Sequence, residues 1–575
     1  MTHVRSLSLT AAALVAALLL VAPATAATAD VVFKVLDDEL QRNTSQLVME
    51  NLERPYFINY TVDDYQQMEV SASLGMLVES HLERGRYLTT DLRVGSYELD
   101  NSNFASGFGS FGSDFVTLPV DDDYDAVRNQ VYLATDRVYK GALETLSKKR
   151  AYLQTRIMPD RPADHIKLPP NKFLDKPEVF DIDQKFFEDL ARPMSDVFRA
   201  FPAITTSELK VTASVVNQYL ANSEGTRTLR GDRIYGFELN MAGRTPDGEM
   251  VSNNDRIIVN DFGRIPPRDQ LLTWARSNAE KMNALITADT LEDYIGPVIF
   301  VGEAAGEFFR QLFSRHVSNM PAPMSDNDRI SGALETSDFA NKLNRRVLPP
   351  TFSVYNDPTL DRIGETPLIG RYEVDDAGGV PKRTTLVENG KLVNFLIGIA
   401  PTKKIKEPTG SARGAVSKDV TAKPANLIFE STDKISFDKL KANLIAMCKD
   451  IDLPYGLIVR RLRDLSAPST GLQMFGQAQA GGEGLTIPFE IYRLYPDGRE
   501  VPVRGLQFSS VTSRILRDIV QTDNSRYVYN YLIGNDYEMP ATIVTPAVLV
   551  EEMELKKADT KVTKPPLLPS PLATN

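Results

Sequence analysis

The first part of the chain alternates between two hydrophobic patterns. Apolar side chains recur at helical spacing in residues 30–51 and again in residues 124–154, which predicts two amphipathic helices. Between them, residues 56–99 are rich in β-branched and aromatic side chains in short runs, a pattern typical of antiparallel strands. Residues 101–112 are rich in Gly, Ser and Asn and are predicted to form a loop.

Three consecutive aspartates, Asp121, Asp122 and Asp123, precede the second predicted helix. A calcium loop would need alternating Asx residues and a glycine, and this segment lacks that arrangement. Carboxylates at a helix start instead interact favourably with the helix dipole. We therefore expect a solvated helix start here rather than a metal site.

Residues 159–288 are predicted to add further strands to the sheet and further helices. Residues 159–177 are rich in proline and are expected to be irregular. Gly225 ends a turn that begins at Asn222, since glycine adopts positive φ without strain. Pro267 is expected to open a helix, because proline is tolerated at the first helical position. The other predicted elements are a helix over residues 184–190, strands over residues 209–220 and 235–242, and the continuation of the Pro267 helix to about residue 288.

The second half of the chain has short β-type runs between many turn signals, which is typical of a sheet-rich domain. Residues 297–301 predict a short buried strand, and a helix over residues 303–316 is expected to follow it. The end of the chain is rich in proline and is predicted to be a disordered tail. The predicted class is α+β: an N-terminal region with an antiparallel sheet and flanking helices over residues 30–290, a C-terminal β-rich domain over residues 291–555, and a tail over residues 556–575.

The N-terminus predicts export. Arg5 precedes a short apolar run over residues 7–21, and Ala24-Thr25-Ala26 fits the small-x-small rule for cleavage. We therefore expect a signal peptide within residues 1–29 and a mature protein in the periplasm or outside the cell. The alternative is a membrane anchor, but the run is shorter than the ~20 apolar residues that span a bilayer. No later stretch is long and apolar enough to cross, so no membrane span is expected after cleavage.

Composition narrows the function classes. The chain has 575 residues, which favours two or three domains, and a 42% hydrophobic fraction can supply a sizeable core. The formal net charge of −11 argues against broad binding of nucleic acid or anionic lipid, because both need clustered Lys and Arg. Cys448 is the only cysteine, so no intrachain disulfide can form. Helical apolar spacing around Cys448 predicts a buried packing residue rather than a reactive thiol.

Several short motifs of the second half carry a resemblance to a known family. They are GPVIF at residues 296–300 followed by Glu303-Ala304-Ala305-Gly306, RVLP at 346–349, VYNDPT at 354–359, GRYEVDDAGGVPKRTTLVENG at 370–390, PTGSARG at 408–414 and PAVLVE at 546–551. In this order, over residues 209–555, the chain resembles the TldD/PmbA family of peptidases, also called modulators of DNA gyrase. The turn at Asn222 resembles one in the family's N-terminal region. The resemblance implies a C-terminal domain of the TldD/PmbA type.

Active members of this family carry His-Glu-x-x-x-His on the helix after the short strand, and a cysteine near the C-terminus. Imidazoles and a thiolate hold zinc, and the glutamate accepts a proton from the metal-bound water. The matching positions in this chain are Arg310, Gln311 and Arg315, and residues 532–535, where the family's cysteine would fall, contain none. Two ligands have become cations and the base has become an amide. The resemblance therefore implies a chain without zinc and without a catalytic residue of the family's kind.

The remaining ionisable residues leave two alternatives open. A zinc site could still be assembled from distant residues, although no two histidines lie at a short ligand-type spacing. Glu303 and Glu307 are one helical turn apart and could act as an acid and a base. We expect instead a solvated helix face, or ion pairs of these carboxylates with Arg310 and Arg315. The four histidines are His3, His81, His165 and His316.

Three function hypotheses follow. The leading one is a non-catalytic subunit that binds extended, unstructured peptides in a sheet-lined cleft and works with a partner that carries the zinc motif, or as a homodimer. Strand addition to a free sheet edge gives such binding without much sequence preference. The alternatives are a peptidase that uses a different set of residues, and an exported scaffold that has lost peptide binding.

Overall fold

The structure is a computed structural model of the chain. It shows two regions, an N-terminal sheet with helices and a β-rich C-terminal domain. Most of the predicted signal peptide, residues 1–23, and part of the predicted loop, residues 106–112, lie outside the described residues. The described residues are 24–105, 115–156, 158, 160–318, 324–327, 337–416, 420–463, 484–533, 539–558, 568 and 570–574.

The N-terminal region is built on a seven-stranded sheet. The first eight strands of the chain are β1 (Pro55–Ser73), β2 (Met76–Val94), β3 (Phe104–Ala105), β4 (Phe115–Leu118), β5 (Lys172–Leu174), β6 (Ile204–Asn222), β7 (Arg227–Arg244) and β8 (Met250–Val259). The sheet order is β4-β2-β1-β6-β7-β5, with β8 also paired to β7. Only β5 runs parallel to its neighbour, so the predicted antiparallel sheet is confirmed.

Tight turns set the register of the long hairpins. Gly225 lies in the turn between β6 and β7 with a φ of 92°, as the sequence predicts. Gly75 lies in the turn between β1 and β2 with a φ of 81°. Both φ values are in the left-handed region, which glycine adopts at low cost.

Helices cover one face of this sheet. Alternate residues of β1, such as Ile58 and Tyr60, pack against the first two helices, and Met68 and Val70 of the same strand pack against the next two. This arrangement confirms the predicted sheet with flanking helices. The helices are α1 (Ala24–Gln46), α2 (Tyr124–Gln154), α3 (Gln184–Asp196) and α4 (Arg268–Thr287).

The helix starts follow the sequence signals, and some helix ends do not. Asp123 caps α2 by accepting a hydrogen bond from the backbone N–H of Ala126 at 2.8 Å, which confirms the predicted helix start. Asp122 pairs with Arg86 at 3.0 Å. Helix α3 extends beyond the predicted residue 190, because Met194 and its neighbours still face the core. Helix α1 ends before the predicted residue 51.

The C-terminal domain contains two larger sheets. Its strands are β9 (Asp289–Thr290), β10 (Asp293–Phe300), β11 (Met324–Ser325), β12 (Phe352–Asn356), β13 (Arg362–Ile363), β14 (Thr366–Pro367), β15 (Thr384–Glu388), β16 (Lys391–Leu392), β17 (Ala412–Arg413), β18 (Thr421–Ala422), β19 (Asn426–Ser431), β20 (Lys434–Ile435), β21 (Gly456–Leu462), β22 (Pro488–Leu494), β23 (Glu500–Arg504), β24 (Leu506–Phe508), β25 (Ile519–Asp523), β26 (Tyr527–Ile533), β27 (Met539–Thr545) and β28 (Val548–Lys557).

The nine-stranded sheet has the order β20-β25-β28-β10-β21-β22-β23-β9, with β24 also paired to β28. The six-stranded sheet has the order β16-β15-β12-β19-β27-β26. Short pairs are formed by β13 with β14, by β17 with β18, and by β3 of the N-terminal region with β11. The predicted β-rich second half is therefore confirmed.

Helix α5 (Glu303–Leu312) packs between these two sheets, and α6 (Phe437–Asp450) packs on the outside of the nine-stranded one. The ring of Phe309 stacks on Phe429 of the six-stranded sheet, with ring centroids 4.0 Å apart. The ring of Phe308 packs on Phe300 of the nine-stranded sheet at 4.7 Å. Cys448 of α6 is buried, as predicted, and burial raises the pKa of its thiol.

Strands of the nine-stranded sheet lie at both ends of the C-terminal domain. The chain enters the nine-stranded sheet at β9, just before residue 291, and β28 continues to Lys557. In the predicted tail, a short 3₁₀ turn spans Pro571–Thr574. Among the helices of the described residues, none has the length and apolar character needed to cross a membrane.

Candidate functional site

Helix α5 carries the sequence-predicted site, and its polar side chains share one face. Gly302, which joins β10 to the helix, has a φ of 63° and so lies in the left-handed region. Glu307, Arg310 and Gln311 are three and four positions apart, which places their side chains next to each other on the helix. This face points toward β26, the outer strand of the six-stranded sheet among the described strands.

The Glu307 carboxylate is the centre of a closed hydrogen-bond network. The residue has no exposed surface. Its Oε1 accepts from Arg310 Nη1 at 2.7 Å and from the hydroxyl of Tyr529, and its Oε2 accepts from Gln311 Nε2 at 2.7 Å. The expected ion pair between α5 residues is confirmed for Arg310. The expected solvated helix face is wrong for Glu307, because α5 is enclosed between two sheets.

The neighbours of Glu307 are themselves held on several sides. Gln311 donates to Thr486 Oγ1 at 2.9 Å and accepts from the Thr486 backbone N–H at 2.8 Å. Arg310 lies over the ring of Tyr531, with its guanidinium carbon 4.7 Å from the ring centroid. The rings of Tyr529 and Tyr531 stack with centroids 5.5 Å apart. We call Glu307, Arg310, Gln311, Tyr529 and Tyr531 the α5 polar cluster.

The third predicted position, Arg315, lies apart from this cluster. Helix α5 ends at Leu312, and Arg315 is an exposed residue of the 3₁₀ turn Ser314–His316. The helix predicted over residues 303–316 is thus shorter than expected. Two of the three predicted site residues, Arg310 and Gln311, are brought together, and the third is not.

The helix accommodates a second register of the family's motif. Counting His-Glu-x-x-x-His from the second residue after β10 places the motif on Gly302, Glu303 and Glu307. All later positions of this register lie within α5, whereas a motif that starts at Arg310 runs past the helix end. In this register the glutamate is retained, and glycine and a carboxylate stand at the two histidine positions.

Neither register fits a zinc ion. In the first, arginine cannot ligate a cation because it stays protonated. In the second, Gly302 supplies no side chain and both oxygens of Glu307 are already engaged by donors. Within the part of the chain that the structure describes, no group of three or more His, Cys, Asp or Glu side chains is placed to hold a metal. No reaction step through zinc follows from these residues.

The described histidines lie in three separate environments. His165 is buried against the rings of Phe57 and Tyr97 in the N-terminal region. His316 Nδ1 accepts from the Asp338 backbone N–H at 3.3 Å. His81 lies beside Glu79 on β2 with its side chain 42% exposed. Their separation is in keeping with the absence of ligand-type spacing in the sequence.

Glu303, at the start of α5, belongs to a different network that joins the two regions. Its Oε2 accepts from Arg461 Nε of β21 at 3.1 Å. Arg461 also pairs with Asp255 of β8 at 3.0 Å and with Glu490 of β22 at 3.3 Å. Burial lowers the pKa of Arg461, but the three carboxylates outweigh burial and the net effect is a raised pKa. Asp255 in turn accepts from Trp274 Nε1 of α4 at 2.8 Å.

Sequence reasoning found the helix of the site and missed its tyrosines. Tyr529 and Tyr531 alternate along β26 and so point to one side of the strand, toward α5. That alternation is visible in the sequence, but the partner helix lies more than two hundred residues earlier in the chain. The burial of Glu307 was missed as well, although its i+4 spacing to Gln311 was a usable signal.

Comparisons with known proteins agree with this description. The family model of the PmbA/TldA metallopeptidase C-terminal domain matches residues 294–557. No curated protein sequence matches the chain. The chain is similar in structure to TldE from Thermococcus kodakarensis, with a TM-score of 0.58 and 14% identity over 91% of this chain and 99% of that one.

Two further crystal structures share the fold. A protein assigned as a modulator of a DNA gyrase from Thermotoga maritima gives a TM-score of 0.57 at 14% identity, over 91% of this chain and 100% of that one. A protein with the same assignment from Bacteroides thetaiotaomicron gives 0.51 at 12% identity, over 92% of this chain and 98% of that one. The TM-scores establish a common fold. The family model shows that residues 294–557 form a C-terminal domain of the PmbA/TldA metallopeptidase type.

Proposed function

We propose that this chain is a non-catalytic subunit of the TldD/PmbA type, which binds extended peptides and supports their cleavage by a partner that carries the zinc motif. The observation that carries the proposal is the α5 polar cluster. On the helix where active relatives are expected to hold their metal, this chain has the Glu307 carboxylate. Its hydrogen-bond donors are the chain's own Arg310, Gln311 and Tyr529.

The α5 polar cluster stabilises the scaffold and offers no group for hydrolysis. A general base needs a free acceptor near the attacking water, and Glu307 is fully buried and fully engaged. Glu303 has an oxygen bound to Arg461. The alternative of a peptidase with a different set of residues is not favoured by any group of side chains around α5.

Peptide binding is supported by the strand next to the cluster. Among the described strands, β26 is hydrogen-bonded to β27 alone, at the outer edge of the six-stranded sheet. An outer strand presents unpaired backbone N–H and C=O groups, to which an extended peptide can add as a further strand. Such binding depends on the main chain and therefore accepts many sequences. The absence of a free edge would instead favour the scaffold alternative.

The partner is proposed from the family resemblance. A TldE structure is among the proteins similar to this chain, and a subunit without a reaction centre needs a second one for proteolysis. A homodimer is the other assembly. We also propose that the chain acts after export, on the strength of its N-terminal apolar run and cleavage signal.

Hydrogen exchange tests the binding part of this proposal. A synthetic unstructured peptide added in excess to the purified chain is expected to slow amide exchange in β26, because added strands protect edge N–H groups. Strand β4, the outer strand of the N-terminal sheet, serves as the control and should not change. Unchanged exchange in β26 at saturating peptide, or protection confined to another segment, would contradict the proposal.

Co-purification tests the partner part. The tagged chain, isolated from the exported fraction of its host, is expected to bring down a protein that carries His-Glu-x-x-x-His. The recovered complex should cleave the synthetic peptide, and the same complex should lose this activity when the partner's glutamate is replaced by glutamine. A chain recovered as a pure monomer without such a protein would count against the subunit role.

A further inference from the structure

Arg413 is a buried arginine near β26 that, unlike Arg310 and Arg461, has no ion pair with a described carboxylate. Arg413 of β17 is 3% exposed. Its Nη1 donates to the Pro424 carbonyl at 3.1 Å, and its guanidinium carbon lies 5.0 Å from the ring centroid of Tyr372. Its Nε has no hydrogen-bond partner, and among the described side chains no carboxylate lies within ion-pair distance of it. Because arginine stays protonated, this charge is buried without a counter-charge.

Two aspartates that accept from the sequence neighbours of Arg413 are committed to other groups. Asp375 accepts backbone N–H bonds from Ala377 at 3.1 Å, Gly379 at 2.6 Å and Ala412 at 3.1 Å. Asp376 pairs with Arg230 of the N-terminal sheet at 2.6 Å and accepts from the Gly414 backbone N–H at 2.6 Å. These bonds hold the loop that carries Arg413 in place, and they leave the guanidinium without a carboxylate of its own.

A lysine lies on the same face of the β17–β18 hairpin as Arg413. Ala412 is paired with Ala422, and the backbone N–H of Lys423 donates to the Ser411 carbonyl at 2.9 Å. Residues 411, 413, 421 and 423 therefore point to one side of the hairpin, since side chains alternate along a strand. Burial lowers the pKa of Lys423.

Tyr531 of β26 connects Arg413 to the α5 polar cluster. Burial raises the pKa of the Tyr531 hydroxyl, whereas the positive charges of Arg310 and Arg413 both lower it. Arg310 keeps 13% of its side-chain surface exposed and Lys423 is partly exposed, so the cationic group meets solvent at these two side chains. We call Arg310, Arg413 and Lys423 the cationic group.

We propose that the cationic group is a binding site for a carboxylate of the peptide that adds to β26. The inference rests on the proposed function and names the chemistry that this site would recognise. The Glu307 carboxylate is paired with Arg310 and is already engaged by its own donors. A buried charge without a partner is costly, and a ligand carboxylate offsets that cost through the two-pronged geometry of a guanidinium.

The carboxylate could belong to the C-terminus of the peptide or to an internal Asp or Glu. Three synthetic unstructured peptides separate these sources: one without acidic residues as the free acid, the same sequence as the C-terminal amide, and an amide with one internal Glu. Affinities for the purified full-length chain are measured by calorimetry. We expect at least one carboxylate-bearing peptide to bind about tenfold more tightly than the uncharged amide, the ratio that one net ion pair supplies.

Two variants localise the effect. In Arg413→Gln the ratio between the charged and uncharged peptides should fall to about one, since the fixed counter-charge is lost. Arg383 supplies the control, because it also lies over a tyrosine, with its guanidinium carbon 3.6 Å from the Tyr355 ring centroid, but on the surface of the same domain. Arg383→Gln should keep the wild-type ratio.

Each outcome decides one of the two proposals. Equal binding of all three peptides by the wild-type chain, or a ratio that Arg413→Gln leaves unchanged, overturns the carboxylate site while peptide binding stands. If no peptide binds, the proposed function fails, and the site is tested by thermal unfolding with N-acetylalanine against N-acetylalaninamide. Stabilisation by the acid alone, absent in Arg413→Gln, would support the site independently; equal effects of the two compounds would overturn it.

Discussion

Two arginines of the C-terminal domain, Arg461 and Arg413, both bury a positive charge, but their surroundings differ. Arg461 is surrounded by Glu303, Asp255 and Glu490, all within 3.3 Å of its guanidinium. Arg413 is slightly more buried and has a carbonyl and a tyrosine ring as its neighbours. The first cation is neutralised by carboxylates of the chain, and the second has no carboxylate partner among the residues that the structure describes.

The difference separates structure from binding. The carboxylates around Arg461 come from both regions of the chain, so their ion pairs hold the N-terminal sheet against α5 and β21. A cation that is left without a counter-charge contributes little to that purpose and is better explained by a ligand. The α5 polar cluster resembles the surroundings of Arg461 and has a structural role, since donors engage both oxygens of its one carboxylate.

The largest effect is expected at Arg461. In Arg461→Met one buried and two partly buried carboxylates lose their shared cation, which should lower the free energy of unfolding by about 3–5 kcal/mol. Because these pairs join two regions, urea unfolding is also expected to become less cooperative. Arg460→Met provides the matched control on the same strand: Arg460 is 41% exposed and pairs with Glu500 at 2.6 Å. A surface pair of this kind contributes about 0–1 kcal/mol, and equal losses in the two variants would refute the special role of Arg461.

The α5 polar cluster should be the next most sensitive place. Glu307→Gln keeps the shape but removes the charge that Arg310 and Tyr529 need, and we expect a loss of about 2–3 kcal/mol in urea unfolding. Tyr529→Phe deletes a single donor and should cost roughly 1 kcal/mol. If Glu307→Gln instead left the free energy of unfolding unchanged and the variant bound zinc tightly, Glu307 would not have the structural role described above.

His165 extends the comparison to a group that avoids burying a charge. Burial, together with the nearby Arg93 charge, lowers its pKa from 6.5 to about 3. The unfolded chain therefore binds a proton below about pH 6.5 and the folded chain does not, so stability should fall as the pH drops from there toward 3. Between pH 7 and pH 4.5 the loss is about 2–3 kcal/mol.

The variant His165→Gln should reduce this acid dependence, and His81→Gln, at a half-exposed position, should keep it. Denaturant unfolding at a series of pH values measures both. An acid dependence that is the same in wild type and His165→Gln would show that other groups cause it.

The smallest effect on stability is expected at Arg413 itself. Replacing a buried cation that has no counter-charge by methionine should change the free energy of unfolding by less than about 1 kcal/mol, and an increase in stability is the favoured direction. Thermal and urea unfolding of Arg413→Met against wild type provide the measurement. A loss as large as that of Arg461→Met would mean that Arg413 has structural partners and would remove the basis for the carboxylate site.

Local features of the fold could be predicted from the sequence. The limits of α2 follow from its apolar spacing and from Asp123, whose side chain caps the first turn. The turn at Gly225 follows from a conformation that glycine adopts easily. Such signals act within a few residues, and the sequence displays them directly. Helix α5 was also expected, though not its early end at Leu312.

The chemistry of the site depended on contacts that no local pattern reveals. Glu307 looks like one more charged residue on a helix, and it is buried because two sheets enclose α5. Its partner Tyr529 comes from a strand near the other end of the chain. The partners of Arg461 likewise come from β8, α5 and β22. Family resemblance indicated where to look, but the side chains that close the site required the tertiary structure.

Hydrolysis by the isolated chain is the most direct test of the central proposal, which is that this chain has no reaction centre of its own. The purified chain is incubated with a synthetic unstructured peptide and added Zn²⁺, and the products are followed by mass spectrometry. We expect the peptide to remain intact, and to be cut only when the motif-bearing partner is present. Cleavage by the chain alone at an enzymatic rate, lost in Glu303→Gln or Glu307→Gln, would contradict the account.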